Sequence, residues 1–271
     1  YILFSLLISL AVYATKVDLQ PSSSTLHTAM PNDTLYIKEK GQYLIKITQI
    51  GKFHIEQTTK DTVDLRIKGE KIKDQQVING LPSTDTLDIT FSNLLVNNKH
   101  MVGYYGEMLK LTNDTCNINI RFKGENTLLS TAGVLIQITG KTPSLNFVGK
   151  EGKTTMSTHS AYNILTEVSE EDNITYNFAN IKRLSGQSGS YNKSGNVFLY
   201  NQQKHPTIIN GAATKLYLEN SSASYSDIYY QSAPILSKGK IYLKDCTYTN
   251  EPLGNSFIIA SDTIFIDESA P

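Results

Sequence analysis

The residues of this 271-residue chain best equipped for chemistry are its tyrosines, sixteen of them against no tryptophan. Tyr104, Tyr105, Tyr217, Tyr229, Tyr230 and Tyr242 are the candidate ligand contacts. A flat ring stacks on a pyranose face and its hydroxyl bonds to sugar hydroxyls, so such residues in a row suit carbohydrate binding. Tyr217 and Tyr242 occupy the same place in two copies of an alternating pattern and are expected to lie side by side on an outward face. A cross-strand aromatic pair that only stabilises a sheet is the competing reading of the same two residues.

Catalytic chemistry has less to draw on. Hydrolysis of a glycosidic bond needs paired carboxylates, and β-elimination needs clustered aspartates for calcium plus a base to take the proton. The one acidic run, Glu170-Glu171-Asp172, offers oxygens to calcium but reads first as a solvated loop, as charge runs usually are. Lys182 and Arg183 suit an anionic sugar, yet no carboxylate set accompanies them. His27, His54, His100, His159 and His205 show no metal spacing, and neither H-E-x-x-H nor G-x-S-x-G occurs. No catalytic residue, no metal ligand set and no cofactor is assigned. A net charge of zero, with Arg66, Arg121 and Arg183 as the arginines, gives no basic face for nucleic acid.

The elements that must position these residues are short alternating strands that end on Gly, Asn or Asp. They are Val63 to Gly69, Leu87 to Asn93, Ile118 to Gly124, Leu145 to Gly149, Ile174 to Asn180, Leu216 to Asn220 and Ile241 to Asp245. Their terminal residues recur at roughly 24 to 40 positions, the spacing of a solenoid. A second apolar run precedes most of them, as in Met108 to Leu111, Val134 to Ile138 and Pro234 to Leu236. No return segment carries a 3.6-residue apolar period, so strand-to-strand coils are expected instead of helical crossovers.

Alternation turns one side of each marked strand inward. Two residues before each terminal residue stand Ile67, Phe91, Phe122, Phe147, Phe178, Leu218 and Leu243, which predicts one internal row with four successive phenylalanines. The terminal residues themselves tolerate left-handed backbone, as a sharp corner requires, so Val in place of Gly124 or Gly149 is expected to be costly. Cys116 and Cys246 lie four coils apart, roughly 19 Å along an axis with about 4.8 Å per coil. A disulfide spans only about 7 Å between Cα atoms, so two buried thiols are expected.

Taken with its flanks, Gly124-Glu125-Asn126-Thr127-Leu128, preceded by Ile118 to Phe122 and followed by Val134 to Ile138 and Leu145 to Gly149, resembles right-handed parallel β-helix modules described in bacteria as carbohydrate-binding. These are relatives of the pectate-lyase-like superfamily. The similarity covers residues 60 to 250 and implies an all-β, single-stranded right-handed β-helix of about 7 to 9 coils. It further implies a polysaccharide or glycoprotein surface as partner.

Tyr1 to Val12 is almost wholly apolar and runs into Val12-Tyr13-Ala14, as in a secretion signal cut near Ala14. Sequons at Asn32, Asn113, Asn173 and Asn192 fit that route, while Asn220 sits at a repeat corner where a glycan is hindered. The expected organisation is a leader over 1–14, an N-terminal coil or cap over 15–60 and the repeat over 61–271, with Ile264 and Ile266 as a further inward pair that invites more coils. The functional expectation is a secreted or cell-surface protein that recognises carbohydrate, or serves in adhesion, without turnover. A polysaccharide lyase or hydrolase of the same fold and a surface-coat protein with no specific ligand are the alternatives.

Overall fold

The computed structural model describes residues 14–22, 24–73, 86–99, 107–114, 116–131, 134–141, 144–149, 153–158, 164–168, 175–179, 181–185, 190–200, 208–219, 222–224, 235–237, 240–249, 258–260 and 263–267. Those residues are all-β: strands, turns and bends, with no helix among them. Every pairing between described strands is parallel. They form sheets of 19, 4 and 2 strands.

Within the large sheet, two runs of partners can be followed. One passes from Leu26–Ala29 through Gln42–Ile47, Asp64–Lys73 and Leu109–Asp114 to Ile136–Lys141 and Ile164–Val168. The other passes from Lys16–Asp18 through Thr34–Ile37, Gly51–Gln57, Thr86–Ser92 and Asn117–Lys123 to Ser144–Val148 and Thr175–Ala179. The two runs then share the long strands Ser190–Tyr200 and Ile208–Glu219, whose first and second halves each find separate partners. The four-stranded sheet stacks Leu95–Asn98, Asn126–Ser130, Thr154–Thr158 and Ile181–Ser185.

Period-two alternation makes this arrangement self-consistent. In Asn117–Lys123, Ile118, Ile120 and Phe122 are buried while Arg121 and Lys123 are exposed. Parallel register then places like on like: Leu87, Ile118 and Leu145 align, as do Ile45, Ile67, Leu109 and Ile136, all buried. Each such side chain removed from water contributes about 1.5–3 kcal/mol, so the aligned rows form one continuous apolar core.

Two expectations about register are corrected. Phe91 lies opposite Phe122, with centroids 5.6 Å apart, but Phe147 lies opposite Ile120. The phenylalanines therefore fall on two register rows offset by two residues, Phe91 with Phe122 and Phe147 with Phe178. The offset preserves the inward face, because the side-chain period is two. Ile67 does not join either row, since Asp64–Lys73 belongs to the other run, between Ile45 and Leu109.

The corner residues are split in the same way. Asn93, Gly124 and Asp245 have φ of 55°, 67° and 51°, the left-handed conformation expected of a sharp turn. Gly149, by contrast, follows Val148, which pairs with Arg121, so it comes level with Phe122 and not with Gly124. Asn126 seals the corner beneath it. Its Oδ1 accepts the Leu94 N–H at 3.0 Å and its amide donates to the Lys123 carbonyl at 3.0 Å, satisfying buried groups of two successive turns. Asn98 does the same for Leu65, accepting from its N–H at 3.0 Å and donating to its carbonyl at 2.8 Å. Cys116 and Cys246 are both buried and are not joined in a disulfide.

Candidate functional site

One uninterrupted register line crosses the second run and the strands that follow it. It runs Lys52, Asp88, Asn119 and Asn146 over four strands, then Asn177, Phe198, Tyr217, Tyr242 and Phe265 over five more. Alternation fixes the line: each of Asp88, Asn119 and Asn146 stands between two buried apolar residues.

In the polar half the side chains bond along the stack. The Asn146 amide donates to Asn119 Oδ1 at 2.6 Å, and the Asn119 amide donates to Asp88 Oδ1 at 2.9 Å. The half-exposed Arg121 reaches the same carboxylate at 3.5 Å. An amide has two N–H donors and two lone pairs, so Asn119 retains one of each for a ligand.

In the aromatic half the structure brings Tyr217 opposite Tyr242, and Tyr242 opposite Phe265. The Tyr242 and Phe265 rings lie 4.6 Å apart and within 9° of parallel, so each covers a face of the other. Tyr217 donates its hydroxyl to Glu219 Oε2 at 3.1 Å, and Lys244 donates to Glu219 Oε1 at 2.8 Å. The Lys244 hydrogen bond holds the Glu219 carboxyl below its usual range and raises the lysine in turn. Rings, carboxylate and ammonium thus form one laced strip spanning three strands.

Beside the polar half is a groove of about 430 Å³. Lys52, His54, Asp88, Arg121 and Lys123 line it, with Asp33 at its edge. His54 Nε2 lies 2.7 Å from Ser92 Oγ. Burial lowers the imidazole's pKa, Glu56 opposes the shift and Lys123 adds to it. Asp33 accepts the Met30 N–H at 2.8 Å, and Asp88 is held by Asn119 and Arg121. Among the described residues neither Lys52 nor Lys123 enters a side-chain ion pair.

Other residues singled out from the sequence are scattered. Asn32 is exposed in a turn with φ of 68°, Asn113 lies in strand Leu109–Asp114 and Asn192 in Ser190–Tyr200. Lys182 and Arg183 lie in Ile181–Ser185, opposite Thr155 and Met156. Tyr104, Tyr105, Tyr229, Tyr230, Asn173 and the Glu170-Glu171-Asp172 run lie outside the described residues. Among the described residues, no three His, Cys, Asp or Glu side chains cluster for a metal, and no helix is long and apolar enough to cross a membrane.

Sequence reasoning missed Lys52, His54, Asp88, Arg121 and Lys123 as a group, and the amides Asn119 and Asn146. A signal was present: apolar-polar-apolar triplets with Asp88, Asn119, Asn146 and Asn177 at their centres. Aligning strands by these centres, and not by terminal residues, yields the observed register. Comparison of the chain with protein-family models, with curated proteins and with solved structures finds no match.

Proposed function

We propose that this chain is a secreted or cell-surface recognition protein, without turnover, whose strands wind as a right-handed parallel β-helix of the pectate-lyase-like kind and present a rigid face to carbohydrate. The observation that carries the reading is the single register line from Asp88 to Phe265, where amides give way to aromatics without a break. Strands repeat at about 4.8 Å, so the line offers a hydrogen-bonding or apolar group at intervals close to one sugar unit of an extended glycan. Partners of this kind need a fixed array and little motion, which a stack of parallel strands supplies.

The second reading, a surface-coat protein with no specific ligand, is favoured by one observation: Tyr242 and Phe265 occupy each other's faces. A glycan array with the purified protein, run with and without calcium, separates the two. Recognition predicts binding to a defined set of glycans, with Asn119→Ala and Tyr217→Ala each weakening it by about tenfold or less, as expected for one or two hydrogen bonds. Absence of binding to every glycan retires recognition in favour of the coat, and unsaturated sugar products would turn the assignment to a lyase.

A further inference from the structure

The groove beside the amide line has more donors than acceptors left open to a ligand. Its two carboxylates have partners without losing their charge: Asp33 receives the Met30 N–H, and Asp88 receives the Asn119 amide and faces Arg121. The cations are not used up in the same way. Arg121 meets Asp88 only at 3.5 Å and is 54% exposed, while Lys52 and Lys123 enter no ion pair among the described residues.

Three cations, Lys52, Arg121 and Lys123, line the groove of about 430 Å³ against two carboxylates, and the excess positive charge is one that an anion relieves. We propose that this groove is an anion-binding subsite that takes the carboxylate or sulfate group of an acidic sugar. Lys52 and Lys123 supply the charge-assisted bonds, and Arg121 swings from Asp88 or bridges it to the ligand. The proposal deepens the carbohydrate reading above, and rests on it for the sugar to which the anion is attached. It places acid selectivity at the Lys52 end of the line, with neutral contacts from Asn119 onward.

The test begins with inorganic sulfate alone, titrated into the purified protein while the His54 ring signals and the backbone amides of the groove are followed by NMR. Sulfate is expected to shift the signals of His54, Thr90 and Lys123, saturably and more weakly at high salt. Lys52→Gln combined with Lys123→Gln should lower the sulfate affinity at least about tenfold, as loss of charge-assisted bonds requires. The melting temperature should be unchanged, because neither lysine enters an ion pair among the described residues. Lys153→Gln, which removes the partner of Glu125 elsewhere on the surface, should leave affinity as it was. Equal sulfate binding by the wild type and the double variant, or no shift at His54, overturns the groove whatever a glycan array shows.

Three further arms then identify the source: an oligouronate, a sulfated oligosaccharide and a neutral oligosaccharide of the same length. Preference for either acidic probe, lost in the double variant, supports the sugar assignment. Sulfate binding with indifference among the three refutes that assignment and leaves an anion site alone.

Discussion

At the scale of single residues, two side chains on neighbouring strands show how register sets chemistry. His54 and Ser92 stand one strand apart and meet at 2.7 Å because Ile55 pairs with Phe91. His54 shares its strand with Lys52 and Glu56, and shares the groove with Asp33, Asp88, Arg121 and Lys123. Burial disfavours the imidazolium, so its native pKa lies below the unfolded value of about 6.5. The unfolded chain then binds more protons just below that value, and stability rises with pH through the window. His54 contributes in full above about pH 6.5, loses its contribution as the pH falls, and levels off once the native ring is protonated. Urea midpoints at pH 7.5, 6.5 and 5.5 should fall more steeply for the wild type than for His54→Gln; parallel curves would contradict this. Gly124 gives a second prediction. A Cβ there would come 1.9 Å from Asn93 Oδ1 at a φ of 67°, so Gly124→Ala combines a left-handed penalty with displacement of the Asn93 side chain. A loss of about 1–3 kcal/mol in urea denaturation is expected.

At the scale of elements, the corner between Asn117–Lys123 and Asn126–Ser130 depends on one buried amide. Asn126→Ala would leave the Leu94 N–H without its acceptor, while the Lys123 carbonyl keeps the Asn93 N–H at 3.1 Å, and one orphaned buried group costs about 1–3 kcal/mol. A drop of about 1–3 kcal/mol in chemical denaturation is therefore expected, and a loss within error of zero would mean that water takes over the bond. Much of the local architecture was legible in the sequence. Alternation in Leu87 to Phe91 and Ile118 to Phe122 fixed both the strands and their inward faces, and the corner character of Asn93, Gly124 and Asp245 could be read directly. Register was only partly legible. Shifting a parallel strand by two residues keeps every apolar side chain inward, so the pattern that finds the strand cannot tell Phe122 from Ile120 as the partner of Phe147. The groove depended on that missing information. Its members come from strands that are distant in sequence, and nothing in the neighbourhood of His54 announces Lys123.

At the scale of the whole molecule, parallel partners only one step away in each run make stability a sum of local interfaces, and such a stack opens by steps from its least covered strands. Coverage is uneven. Cys116, 1% exposed, precedes a strand held on both sides by Thr86–Ser92 and Ser144–Val148. Cys246, 4% exposed, follows Lys240–Lys244, whose outer partner Ile264–Ile266 leaves all three of its apolar side chains exposed. An outer strand with so little burial is weakly held, since apolar area removed from water is what secures it. The two thiols therefore report on different parts of the stack. With brief alkylation at rising urea, followed by mass spectrometry of the peptides, Cys246 should become reactive at a lower concentration than Cys116. Both should stay protected in native buffer, because reactivity needs an exposed thiolate. Phe122→Ala, which removes the ring packed on Phe91 from the strand that Cys116 precedes and costs about 3–5 kcal/mol, should narrow the difference or reverse it. Simultaneous exposure of both cysteines, in the wild type and in the variant alike, would mean that the sheets unfold as one cooperative body and that the stepwise account of this stack is wrong.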